Sequence, residues 1–297
     1  MSKSEVKRPA KRKKNTKNFA LFIITHKRHE NQLTLRTLER AGYTGKVFLV
    51  CDTGDPTLAE YKELYGDMVV TFEKKDYIGK FDIMINEQIM GIATYARAAL
   101  YDIAKKKKLD YMVVMDDDYT GFYTKIDETC NYIDTRVMDM DKLIAAHLKY
   151  LHNANLDALA FAQAGDFIGG ENGGFNRRNL PILRKIMNVF FFDVDKPVYY
   201  HGAMNDDVIA GITLARQGRI ALSPTLVSTI PAPTQSISGG LTELYRDNGT
   251  YTKSMYSVVA SPSSVIAKYQ DAVSRVHHLI NADKTYPRII EEKYKRR

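Results

Sequence analysis

The sequence predicts an α/β fold, a mostly parallel central sheet flanked by helices. Two observations carry that expectation. Phe19–Thr25 and Tyr111–Met115 are continuous apolar runs of strand length, the pattern of parallel strands buried on both faces. Segments of helical spacing separate such runs, giving a βαβαβ rhythm. In order, the strand at Phe19–Thr25 is followed by a helix over Glu30–Ala41, marked by Leu33, Leu35 and Leu38 and stopped by Gly42. Lys46–Cys51 is a second strand running into Asp52. Asp55 and Pro56 open a short helix to Tyr65, and Met68–Phe72 is a third strand. Ile92–Lys107 is a helix whose C-terminal dipole Lys105–Lys108 complement. The second half is expected to hold a helix over Met138–Leu151 and a strand over Ala158–Ala162. A Gly-rich turn at Glu171–Arg178 leads into a short strand, and another strand covers Val189–Val194. Asn205–Gln217 reads as a helix with Asn or Asp at its N-cap and Gly218 as its stop. Residues 231–240 form a polar loop long enough to suggest function.

The chain has 297 residues, 44% of them apolar, enough for a sizeable core. No apolar run approaches the roughly 20 residues that a membrane-spanning helix needs, so no membrane partner is expected. The basic N-terminus lacks a following apolar stretch, so no secretory signal is expected. Cys51 and Cys130 are too few for a disulfide framework or a zinc site, which fits a reducing, cytoplasmic setting. The net charge of +8 is unevenly spread: residues 1–18 hold eight Lys or Arg against the single Glu5, leaving the body nearly neutral. Such an arm is expected to be disordered when free and to suit a polyanion, most simply nucleic-acid phosphates. A solubilising tail would have the same composition. No internal repeat and no forced domain boundary is evident. The expected organisation is a basic arm at 1–18, one α/β unit at 19–285 and a charged tail at 286–297.

The strongest chemical signal is the acidic triplet Asp116, Asp117 and Asp118 directly after the buried run at Tyr111–Met115. Three adjacent carboxylates repel one another unless something positive sits among them. Alternate residues, Asp116 and Asp118, can face one side while Asp117 faces the other. Mg²⁺ or Mn²⁺ prefers carboxylate, water and phosphate oxygens. Thr25–Arg28, Asp52 and Asp116–Asp118 all fall at carboxyl ends of predicted strands, where ligands bind in parallel sheets. The triplet alone leaves phosphatase, nuclease and polymerase sites open. A nuclease is disfavoured because no second carboxylate cluster has two-metal spacing.

A strand followed by Asp-x-Asp, after two βα units that begin with Phe22-Ile-Ile-Thr25 and Val47-Phe-Leu-Val-Cys-Asp52, resembles the GT-A glycosyltransferases. Arg97 in the preceding helix, the run Gly173–Arg178 and Asn205-Asp206-Asp207 fall where that family has donor-facing, sugar-wrapping and catalytic segments. Within the fold, Thr25–Arg28, Glu73–Phe81, Gly239–Arg246 and Gly249–Ser254 look most like the phage TET-associated glycosyltransferases, which modify hydroxymethylated pyrimidines in DNA. The resemblance spans roughly residues 19–225 and implies one catalytic domain at 19–285, with a nucleotide-binding half (19–118) and an acceptor half (119–285). It implies a Mn²⁺ or Mg²⁺ ion on Asp116 and Asp118, and a nucleotide-sugar donor, most simply a UDP-sugar. Thr25, His26, Arg28, Asp52, Arg97 and Asp117 would contact the nucleotide, and Gly173 and Gly174 the donor sugar and acceptor. Arg246 and Lys253 would approach the diphosphate. The register of the helix ending at Gly218-Arg219 makes Asp207 the catalytic base of an inverting transfer, with Asp206 standing where the family has Glu. The acceptor would be a hydroxymethylated base in double-stranded DNA of a bacteriophage, its backbone held by the basic arm and by Lys293, Lys295, Arg296 and Arg297. The alternatives are a protein or polysaccharide acceptor, or a non-catalytic nucleic-acid-binding module that keeps the fold. His277 and His278 read as a surface pair on a C-terminal helix sooner than as a third metal ligand.

Overall fold

The computed structural model describes residues 14–84, 92–172, 186–233, 242–271 and 275–285. Expectations for Gly173, Gly174 and the strand after them, for most of the basic arm, and for the tail at 286–297 lie outside the described residues, as does the side chain of Arg246.

The first half follows the predicted rhythm. Strand β1 (Phe19–Ile24) leads to α1 (Leu33–Arg40), β2 (Val47–Asp52), α2 (Leu58–Tyr65) and β3 (Val69–Phe72). Helix α3 (Ala93–Lys106) then precedes β4 (Tyr111–Asp116). Beyond it come β5 (Tyr119–Ile126), β6 (Tyr132–Arg136), α4 (Met140–Asn153), β7 (Ala158–Ala160), β8 (Ala162–Gln163) and β9 (Phe190–Asp193). The remaining elements are α5 (Asp206–Arg216), β10 (Ala221–Leu222), β11 (Val227–Pro231), α6 (Thr242–Ala260), the hairpin β12 (Val265–Gln270) and β13 (Arg275–Ile280), and the short α7 (Ala282–Thr285).

The main sheet has the order β10-β7-β9-β4-β1-β2-β3. Its strands run parallel except β9, which is antiparallel to both β4 and β7. The chain builds outward from β1 through β2 and β3, then returns to place β4 on the other side of β1. That reversal leaves a crevice at the carboxyl ends of β1 and β4. Because side chains alternate across a strand, each buried strand feeds two cores. Ala20, Phe22, Val50, Met112, Val114, Phe190 and Phe192 meet α3 and α5 on one face. Leu21, Ile23, Leu49, Val113, Met115 and Phe191 meet α1 and α4 on the other. Gly42 supplies the expected stop after α1 with a left-handed φ of 74°, and a side chain there would collide with the Met138 carbonyl.

Three expectations need correction. The single strand at Ala158–Ala162 is two strands in different sheets, because the chain leaves the main sheet at Ala160 and joins a four-stranded sheet, β6-β5-β11-β8, at Ala162. Asn205 sits at the N-cap position of α5, yet its side chain makes no cap; it bonds the Lys253 carbonyl, Ser257 and His278 instead. His277 and His278 lie on strand β13, and His278 is buried, so the pair is neither helical nor a surface feature. Among the described residues, no helix is long and apolar enough to cross a membrane.

His147 of α4 is a buried core histidine. It stacks on Phe191 at 5.2 Å between ring centroids, meets Phe161 edge-on, and places Nδ1 2.8 Å from the Leu143 carbonyl. Burial lowers its pKa. The unfolded chain therefore takes up a proton below about pH 6.5 that the folded chain resists. Stability from the neutral ring is complete above that pH and falls as the solution is acidified. The drop in melting temperature between about pH 7 and pH 5 is expected to be smaller in His147→Leu than in the parent protein, whatever the variant's absolute stability.

Candidate active site

A cavity of about 670 Å³ opens at the carboxyl ends of β1 and β4. Its wall includes Thr25, His26 and Arg28 after β1, Asp52 at the end of β2, Arg97 on α3, the triplet Asp116–Asp118, Asp206 on α5, and Lys253 on α6. Asp207 does not line it. That residue is half-buried, and its carboxylate accepts the Val208 N–H at 2.8 Å.

The triplet sits on the tight link between β4 and β5, and α1 pins that link. The Thr34 N–H donates to the Asp117 carbonyl, its hydroxyl donates to the Asp116 carbonyl at 2.6 Å, and the same hydroxyl accepts the Tyr119 N–H at 2.8 Å. The Ala232 N–H donates to the Asp118 carbonyl, which brings the chain after β11 to the cavity rim.

The three carboxylates then part. Asp117 is buried and turns to the loop after β1: the Thr25 hydroxyl donates to it at 2.6 Å and the Arg28 guanidinium at 2.5 Å. Burial raises the Asp117 pKa, with Arg28 and Thr25 opposing the rise. Gln32 donates to the Thr25 hydroxyl, and the Tyr61 hydroxyl lies 2.6 Å from it. The same loop is held by Asp55, which faces His26 and accepts the Lys27 N–H. Burial pushes the Asp118 carboxyl up to about 7, helped by the charges on Asp116 and Asp117. Asp116 keeps more exposure and faces Arg97 at 3.4 Å.

Arg97 is an enclosed cation of the site. Its guanidinium meets Asp206 at 2.5 Å and Asp116 at 3.4 Å, over the rings of Phe190 and Tyr200. Burial acts against its charge, and Asp206 and Asp116 more than restore it. Burial raises the pKa of Asp206 although Arg97 pulls it back.

Among the described residues, no three His, Cys, Asp or Glu side chains converge as a ready-made metal cage. The donor set nevertheless suits a hard divalent ion: two carboxylates on a cavity wall, crowded enough that one resists ionisation. Water and diphosphate oxygens commonly complete the shell of such an ion.

A model of the TET-associated glycosyltransferase family matches residues 19–228. The chain belongs to that family. Membership and the sheet topology together give it the GT-A fold expected from the sequence, and make it a glycosyltransferase. Solved structures matched to this family member include glucosyl-3-phosphoglycerate synthase from Mycobacterium tuberculosis with Mn²⁺, UDP-glucose and glycerol 3-phosphate. That match has a TM-score of 0.47 and 9% identity, over 91% of this chain and 89% of that one. The same enzyme with Mg²⁺ and UDP matches at a TM-score of 0.44 and 8% identity, over 89% and 87%. CMP-2-keto-3-deoxy-manno-octonic acid synthetase complexed with CTP matches at 0.42 and 10%, over 80% and 99%. No curated protein matches.

Several wall residues of this glycosyltransferase escaped the sequence reading. Lys74 lies buried just past β3, with its ammonium over the Tyr95 ring. The rule that singled out Thr25, Asp52 and Asp116, position beyond a parallel strand's end, applies to it equally. Thr34, Gln32 and Tyr61 shape the site from α1 and α2 without any local motif. Arg275 comes from β13, where no sequence signal tied it to the cavity, and His277 and His278, set aside in the sequence as a surface pair, line the cavity beside it.

Removing one member of a buried ion pair strands the other. Arg97→Met is expected to lower unfolding free energy by about 3–5 kcal/mol in urea titrations. Arg97→Met with Asp206→Leu should recover most of that loss, because no buried charge remains unpaired.

Proposed function

We propose that this glycosyltransferase moves a sugar from a nucleoside-diphosphate donor, most simply a UDP-sugar, onto the hydroxyl of a 5-hydroxymethylpyrimidine in phage DNA. The observation that carries this reading is the acidic triplet on the wall of the crevice between β1 and β4, in a chain of this family. The +7 arm at residues 1–18 favours a polyanionic acceptor.

Asp52 and the Thr25–Arg28 loop contact the nucleoside, with Arg28 held in place by Asp117. Lys253 and Arg246 offer positive charge to the diphosphate. Asp116 and Asp118 hold Mn²⁺ or Mg²⁺, which when bound offsets negative charge on the departing nucleotide diphosphate. The acceptor oxygen bonds to the anomeric carbon as the carbon–oxygen bond to the diphosphate breaks, and the hydroxyl proton passes to a carboxylate. Sequence register favours Asp207 for that proton. The geometry favours Asp206, which lines the cavity and whose burial strengthens its hold on a proton. Asp207 then serves the positive end of α5.

The deciding test incubates the protein with Mn²⁺ and several UDP- and GDP-sugars, then weighs hydroxymethylated DNA. A hexose- or pentose-sized mass gain is expected with one donor, and no gain with any donor would refute the transfer. Asp116→Asn and Asp118→Asn should each cut divalent-dependent donor turnover by about 100-fold or more with the fold intact by circular dichroism.

The two helix-opening carboxylates separate kinetically. Asp206→Asn is expected to lower kcat by about 10²–10⁴-fold with little change in donor KM. A loss of that size in Asp207→Asn instead would return the role to Asp207.

A further inference from the structure

The strands β1, β2 and β4 all begin on the edge of the sheet opposite the cavity. Helix α3 starts at the cavity wall with Ala93 and ends on that far edge, about 21 Å away along its 14 residues. The edge gathers lysines. Lys105, Lys106, Lys107 and Lys108 close α3, Lys46 precedes β2, and Lys17 precedes β1, and all six are exposed. Hydrogen bonds tie these segments side by side. The Asn18 side chain donates to the Lys108 carbonyl at 2.9 Å, and the Leu21 N–H donates to the Lys46 carbonyl at 2.9 Å. The Lys107 ammonium lies 3.9 Å from the centre of the Phe48 ring.

Four carboxylates on this edge are occupied elsewhere. Asp193 and Asp195 pair with Lys14, Asp157 with Arg219, and Asp110 accepts from Asn15 and Asn18. Among the described residues, none of the six lysines has a carboxylate within 4 Å. This is more cationic charge than a helix end requires for its dipole, which is worth well under one full charge. In sequence, Lys3, Lys7, Arg8, Lys11, Arg12 and Lys13 precede Lys14.

We infer that this edge is a second DNA-backbone contact surface, separate from the transfer cavity, on which the arm's attachment point and the lysines at 46 and 105–108 bind duplex phosphates. The inference rests on the DNA acceptor proposed above. Its chemistry is nonspecific: point charges against a phosphate rail, without base contacts. Because the edge lies some 20 Å from the reacting groups, it cannot orient the hydroxyl. It holds one stretch of duplex while another is modified, raising the local concentration of acceptor.

The test compares the full chain with a variant carrying Lys46→Gln, Lys105→Gln, Lys106→Gln and Lys108→Asn. Lys107 is kept for its packing on Phe48, and Asn suits the left-handed φ of 55° at position 108. Affinity for a short unmodified duplex is measured against salt concentration. Each lost phosphate contact should flatten the slope of log K against log salt by about 0.9, so a change of about 2–4 is expected. Lys268→Gln, exposed on β12 opposite the cavity-lining His277 and so away from this edge, should leave the slope unchanged. An unchanged slope in the fourfold variant, or an equal change in the control, overturns the inference. So does binding to phosphatidylserine vesicles with none to duplex DNA. Donor hydrolysis, read on the same proteins, is expected to stay at the parental rate. If the parent lacks donor hydrolysis, the proposed function fails while the salt slopes still judge the edge.

Discussion

One guanidinium holds the catalytic half of this molecule in register. Arg97 reaches from α3 to Asp116 at the end of the next strand, β4, and to Asp206 at the start of α5, more than a hundred residues on, so three elements converge on a single buried charge. Such a charge is costly to desolvate and tolerable only with partners in place. The arrangement therefore links folding to site assembly: the acidic triplet and the opening of α5 reach their positions together or leave an unpaired charge in a low-dielectric interior. Phe190 and Tyr200 fill the remaining faces of the guanidinium. They exclude water from the pair and complement its planar cation.

A second constraint divides the three aspartates by partner. Asp117 serves the loop after β1 through Thr25 and Arg28, Asp116 serves Arg97, and Asp118 is left with burial and repulsion. Adjacent residues of one type thus have unequal roles because the tight link between β4 and β5 aims each in a different direction. Thr34 fixes that link with three backbone contacts, a large share of site geometry for one small side chain.

The parallel half of the fold was legible because buried strands write themselves as unbroken apolar runs, and β1, β2 and β4 do so to within a residue or two. The antiparallel sheet was not. Strand β8 has two residues, too few for any period, and β5 mixes Tyr, Thr and Gly with its apolar positions. Helix α6 was hidden by Gly249 and by the β-favouring run Thr250-Tyr251-Thr252, and tertiary packing overrides that local preference. In the site, residues at strand ends could be named in advance since topology alone puts them there. Contributions from α1, α2 and Arg275 of β13 depend on packing between distant segments and carry no local mark. The side chain of Asn205 is the sharpest case: its type and position both suit a cap, yet a left-handed backbone turns it toward α6 and β13.

The passage from β7 to β8 also bears on motion. Phe161 alone separates the last residue paired in one sheet from the first paired in the other, and it is fully packed. A linker of one enclosed residue gives the two sheets no swivel. Breathing of the cleft through that seam would have to tear ladder bonds, so the sheets behave there as one welded block, and entry and exit of reactants fall to parts of the rim that are not woven into either sheet.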